Sequence, residues 1–127
     1  MGGMYDEHLD KNAANHAPLT PLGFLERAAA VHPGKTAVIH GERSYSYREF
    51  DQRCRRLASA LAKAGVGPGD TVSVLAGNIP ATLEAHYGVP MLGAVLNAMN
   101  FRQDAGTVAF CLAHGEAKVF IVDREFA

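Results

Sequence analysis

The chain has 127 residues, of which 48% are apolar, with twelve basic and thirteen acidic side chains. This length and composition predict one compact domain, and the formal net charge of -1 argues against nucleic acid or anionic lipid as a partner. The longest apolar stretches are interrupted well before the roughly 20 residues that a membrane span needs. We therefore expect no membrane span and, since no targeting segment is recognisable, a cytoplasmic location.

The first predicted elements are a flexible leader and a helix. Residues 1–17 carry scattered charge without sustained periodicity, so we expect a flexible leader, followed by a folded domain over residues 18–127. Thr20 offers a hydroxyl N-cap and Pro21 occupies the first helical position, which predicts that a helix begins here. We expect that helix to end at His32-Pro33-Gly34. Its apolar positions are Leu22, Leu25 and Ala29.

A hairpin and a second helix are predicted next. Short segments at Thr36–His40 and Arg43–Tyr45, separated by Gly41-Glu42, indicate a small hairpin or two extended stretches. Ser46 and Glu49 fit a capping box, which predicts the start of the second helix. The residues placed to form a hydrophobic staple across this start are Tyr45 and Phe50. The apolar stripe of the helix consists of Phe50, Cys54, Leu57, Ala58 and Leu61.

The middle of the chain predicts a turn, a strand and an interrupted helix. Gly65 closes the second helix, residues Val66–Asp70 are typical of a turn, and the β-branched run Thr71–Ala76 suits a strand covered on both faces. A helix is expected to start near Asn78–Pro80. Gly88 and Pro90 should kink or split it, because proline lacks a backbone donor and clashes with the preceding turn.

The last third predicts two strands with a helix between them. Ala94–Asn97 is the next expected strand, Asp104 is placed to cap a short helix that Gly115 ends, and Lys118–Asp123 should form a further buried strand. Strands that alternate with helices through short turns imply parallel pairing. The predicted fold class is therefore α/β with a mostly parallel sheet.

Two turns are candidates for a phosphate site. Gly65–Asp70 is rich in glycine, but it leaves a helix and enters a strand, whereas a phosphate loop must lead into a helix N-terminus. We interpret it as a structural turn. Leu75–Pro80 has the required order of strand, turn and helix, yet it contains one glycine and no lysine, so an ordinary helix start is favoured.

Cysteine, histidine and arginine residues show no pattern typical of a site. Cys54 and Cys111 lie far apart without CxxC spacing, so neither a disulfide nor a zinc site is expected. The histidines form no His-x-x-x-His pair; they are His8, His16, His32, His40, His86 and His114. Arg53, Arg55 and Arg56 are the densest basic group, which we interpret as a solvated helix face rather than a contact for RNA or CoA phosphates.

The best local candidate for a site combines Asn97, Asn100, Arg102 and Asp104. They fall where a predicted strand gives way to a helix, at the sheet edge where α/β proteins bind ligands. Asparagine is also common in such turns for its own hydrogen bonding, and this structural interpretation is favoured. No Gly-x-Ser-x-Gly elbow occurs. We therefore assign no catalytic, cofactor-binding or metal-binding residue.

Several segments of the sequence carry a family resemblance, chiefly Tyr45–Phe50 with its continuation Leu57–Asp70, and Met91–Asn97. Taken together, they resemble the N-terminal region of the adenylate-forming superfamily, which includes acyl-CoA synthetases. Tyr45–Phe50 resembles the first core motif of that family, with Phe50 in place of its usual leucine, and Met91–Asn97 resembles the second. Glu84–Pro90, together with Asn97–Arg102 and His114–Asp123, looks closest to the fatty-acyl and related carboxylic-acid CoA ligases. Gln103 departs from a leucine that is frequent there.

The resemblance implies part of the large N-terminal domain of an AMP-forming acid:CoA ligase. Such enzymes use ATP and Mg²⁺ to form an acyl-adenylate from a carboxylic acid, here a fatty acid, and then pass the acyl group to coenzyme A. Their lysine-bearing phosphate loop, ribose-binding aspartate, hinge and catalytic lysine have no counterparts in this sequence, and the first two core motifs are structural. We therefore expect a chain that precedes the ATP-binding loop, holds no cofactor and is inactive alone.

Two other functions remain open at the level of sequence. One is a self-sufficient α/β binding or interaction module derived from a ligase gene, and the other is a minimal nucleotide-binding domain. A parallel sheet normally has both faces covered, so we also expect self-association through uncovered surface.

Overall fold

The elements of the fold follow the predicted order closely. The structure is a computed structural model that describes residue 8 and residues 10–127. The helices are α1 (Pro21–Val31), α2 (Tyr47–Lys63), α3 (Pro80–Gly88) and α4 (Ala105–His114). The strands are β1 (Thr36–His40), β2 (Arg43–Ser46), β3 (Thr71–Leu75), β4 (Val95–Met99) and β5 (Ala117–Val122). Short 3-10 turns follow at Pro90–Leu92 and Arg124–Phe126.

The strands form two separate sheets. β1 and β2 pair as an antiparallel hairpin, while β4, β3 and β5 form a parallel sheet in that order, with β3 in the centre. Ser73 of β3 lies in register with Asn97 of β4 and Phe120 of β5. Because each parallel connection passes through a helix, the α/β prediction is confirmed.

The capping box at the start of α2 is confirmed in both directions. The Glu49 amide donates to the Ser46 hydroxyl at 3.3 Å, and the Ser46 amide donates to the Glu49 carboxylate at 2.7 Å. In place of the predicted staple, Tyr45 contacts Arg53: the guanidinium carbon of Arg53 lies over the Tyr45 ring, 4.5 Å from the centroid of the ring. Phe50 instead meets the edge of the Tyr87 ring, with centroids 5.4 Å apart.

Two apolar clusters hold the elements together. The first lies between α2 and one face of the parallel sheet, and its buried members are Leu61, Val66, Val72, Val89 and Ala94. The second joins α1, α2 and the hairpin through Leu25, Phe50 and Cys54. The polar stripe of α2 stays in solvent, as the helical periodicity predicts.

Several predicted bounds and burials need correction. β4 starts at Val95 and runs to Met99, two residues beyond the predicted end. β5 was predicted as buried, but its residues alternate between half-buried and exposed because it is an edge strand. The predicted break at Gly88 and Pro90 is confirmed, since α3 ends at Gly88. The leader, residues 1–17, lies partly outside the described residues, and its described stretch 10–17 is exposed without helix or strand.

Candidate functional site

The carboxyl ends of the three parallel strands meet at one edge, where α/β proteins usually bind ligands. In this chain local contacts join residues at this edge. The Asp123 amide donates to the Leu75 carbonyl at 2.9 Å, and the rings of Phe101 and Phe126 stack with centroids 5.1 Å apart. These contacts give the edge a structural role within the described residues.

The four polar residues considered as a candidate site do not come together. Asn97 lies in the middle of β4, and its amide donates to the Ser73 hydroxyl at 3.0 Å, so its expected place at the strand end is wrong. The Asn100 side chain accepts the Arg102 amide at 3.0 Å, which is an Asx turn. Asp104 caps α4. Each of these side chains therefore serves local structure.

The start of α3 does not fit the phosphates of ATP. Its N-cap is Ile79, which has no side-chain oxygen to offer, so the expected capped start forms without a side-chain cap. The Thr82 hydroxyl donates back to the Gly77 carbonyl at 2.7 Å. A phosphate site at such a position needs free amides and a cationic side chain, and no lysine or arginine lies between Leu75 and Tyr87.

An apolar groove of about 640 Å³ opens beside α3, between it and the end of β1. Its apolar lining includes Ile39, Leu83 and Tyr87, and His40 and His86 add ring nitrogens. The His86 Nδ1 lies 2.8 Å from the Thr82 carbonyl oxygen, so it must donate there. The lining contains no carboxylate, lysine or arginine, and the groove therefore offers no lysine or arginine that could hold the phosphates of ATP.

The glycine-rich turn at residues 65–70 lies at the opposite, amino-terminal edge of the sheet and stabilises it through contacts with neighbouring segments. The Asp70 carboxylate accepts the Gly67 amide at 2.7 Å and the Lys118 ammonium at 2.9 Å. Gly69 takes a positive φ of 82° and donates its amide to the Gly93 carbonyl. The interpretation as a structural turn agrees with these contacts.

The contacts of Asp70 with Gly67 and Lys118 predict that the stability of the fold depends on pH. The Lys118 ammonium, together with the Gly67 amide, lowers the pKa of Asp70 below its usual value. A carboxylate with a lowered folded-state pKa stabilises the fold above its unfolded pKa of about 4, and this contribution is lost as pH falls through the folded value. We expect NMR titration to show the low pKa, and Lys118→Met to raise it. An ordinary aspartate pKa at Asp70 would contradict the stabilising role of its contacts with Gly67 and Lys118.

Arg53, Arg55 and Arg56, three of the four arginines of α2, each bind a group within the protein. Arg53 Nε donates to the Glu84 carboxylate of α3 at 2.5 Å. Arg55 pairs with Asp51 one turn earlier at 2.8 Å, and Arg56 donates to a backbone carbonyl of its own helix. Arg55 and Arg56 match the predicted solvated face, whereas the Arg53 pair was missed. The sequence gives one indication of the pair between Arg53 and Glu84, because Glu84 is the one carboxylate in the otherwise uncharged sequence of α3.

The cysteines and histidines are dispersed over the described residues. Both Cys54 and Cys111 are free, and burial raises the pKa of the Cys54 thiol to about 12. His32 caps the carboxyl end of α1, and His114 ends α4. Over residues 8 and 10–127, no three His, Cys, Asp or Glu side chains gather as metal ligands would. None of the helices there combines the length and apolarity of a membrane span.

The fold and the sequence together define the class of protein. The family model described as AMP-binding enzyme matches residues 25–127, and the chain belongs to this family. Its fold is part of the N-terminal domain of adenylate-forming enzymes: a fatty acyl-CoA synthetase from Mycobacterium tuberculosis superposes with a TM-score of 0.80 at 29% identity. That match covers 83% of this chain and 21% of the synthetase.

The relatives in sequence include CoA ligases from plants. The peroxisomal acetate/butyrate–CoA ligase of Arabidopsis thaliana is 58% identical over 120 residues, which are 94% of this chain and 21% of that enzyme. The acetate–CoA ligase of Humulus lupulus is 53% identical over 126 residues, 99% of this chain and 22% of the enzyme. The chain thus spans about a fifth of these curated relatives. The cytoplasmic location stays a prediction, since several relatives are named as peroxisomal.

Proposed function

We propose that this chain is the N-terminal structural part of an ATP-dependent carboxylic acid:CoA ligase. The complete ligase would form an acyl-adenylate from ATP, Mg²⁺ and the acid, and then an acyl-CoA thioester. The observation that carries the proposal is the 58% identity to an acetate/butyrate–CoA ligase across 94% of the chain. The match of residues 25–127 to the AMP-binding enzyme family supports it.

The substrate that we propose is a short-chain fatty acid. The resemblance in the sequence implies a fatty acid, and four relatives are named as ligases of acetate, butyrate or 2-methylpropanoate. These four relatives are 46% to 58% identical to this chain. Acetate and butyrate are therefore the first acids to assay, with palmitate as the long-chain comparison.

The chain alone is proposed to be inactive. Adenylate formation needs positioned cations and donors where charge develops on the transferring phosphoryl group. The described residues place no lysine or arginine in α3 or in the lining of the apolar groove beside it. In this proposal the chain supplies scaffold, while residues elsewhere in the ligase bind ATP.

Pyrophosphate exchange into ATP tests both statements. We expect acid-dependent exchange from the polypeptide encoded by the whole reading frame around this sequence, and none above the blank from the 127-residue chain. Exchange by the chain, purified free of contaminating enzyme, would contradict its scaffold role. Absence of exchange from the longer polypeptide with every acid would contradict the proposed ligase activity.

A further inference from the structure

We draw no further inference here: the strongest candidate, the apolar groove between α3 and the end of β1, carries none, since nothing in the described part of the chain shows what covers it.

Discussion

Arg53→Ala should lower the free energy of unfolding by about 2–3 kcal/mol, because it leaves the Glu84 carboxylate without its counter-ion. Glu84 retains only 7% of its accessible surface, and its carboxylate accepts the Arg53 guanidinium at 2.5 Å. The Arg53 side chain is 35% exposed, so we place the effect below that of a fully buried pair. Urea unfolding followed by circular dichroism measures it.

Arg56→Ala is the matched control for this prediction. Arg56 lies on the exposed side of the same helix and donates to a backbone carbonyl of that helix, so we expect a change within about 0.5 kcal/mol. The double variant Arg53→Met/Glu84→Leu should recover most of the loss, because both charges are removed together. Equal effects of Arg53→Ala and Arg56→Ala would show that the ion pair contributes nothing to stability.

Gly88→Val should destabilise the fold by about 3 kcal/mol through overpacking between α2 and α3. An added Cβ at Gly88 would lie 3.0 Å from the Cys54 carbonyl oxygen and 3.0 Å from the Leu57 side chain. The carbonyl belongs to the backbone of α2, so relief requires the two helices to separate. Thermal unfolding should show a large fall in Tm.

The control for this substitution is Gly23→Val in α1. No atom lies within 4 Å of the Cβ that would be added there, and valine has a somewhat higher helix propensity than glycine. We therefore expect a small change, with stability equal to or slightly above that of the unsubstituted chain. A similar loss for both variants would indicate that the close approach at Gly88 is not the cause.

Local signals in the sequence were sufficient where neighbouring residues decide the structure. The capping box at Ser46 and Glu49 and the N-cap at Thr20 place the starts of α2 and α1. Strand limits depended on pairing with distant residues. β4 extends to Met99 because Met99 pairs with Leu75, and β5 is half-exposed because it is paired on one side only. Neither pairing can be read from local composition.

The four polar residues considered as a candidate site do not come together, for a related reason. Asn97 and Asn100 are close in sequence, but β4 includes the first and excludes the second, so only Asn97 reaches Ser73. The ion pair of Asp70 with Lys118 joins elements that lie far apart along the chain. Periodicity places each residue on a helix or strand, and it carries no information about which distant charge will be its partner.

The position of β3 in the sheet has a consequence for biosynthesis. β3 is the first of the three parallel strands to leave the ribosome, yet it is the strand that pairs on both sides. Its two hydrogen-bonding edges stay open in the nascent chain until β4 and then β5 have emerged. Chaperone binding during translation should therefore concentrate on the segment Thr71–Leu75, and should decline once Val122 is outside the exit tunnel.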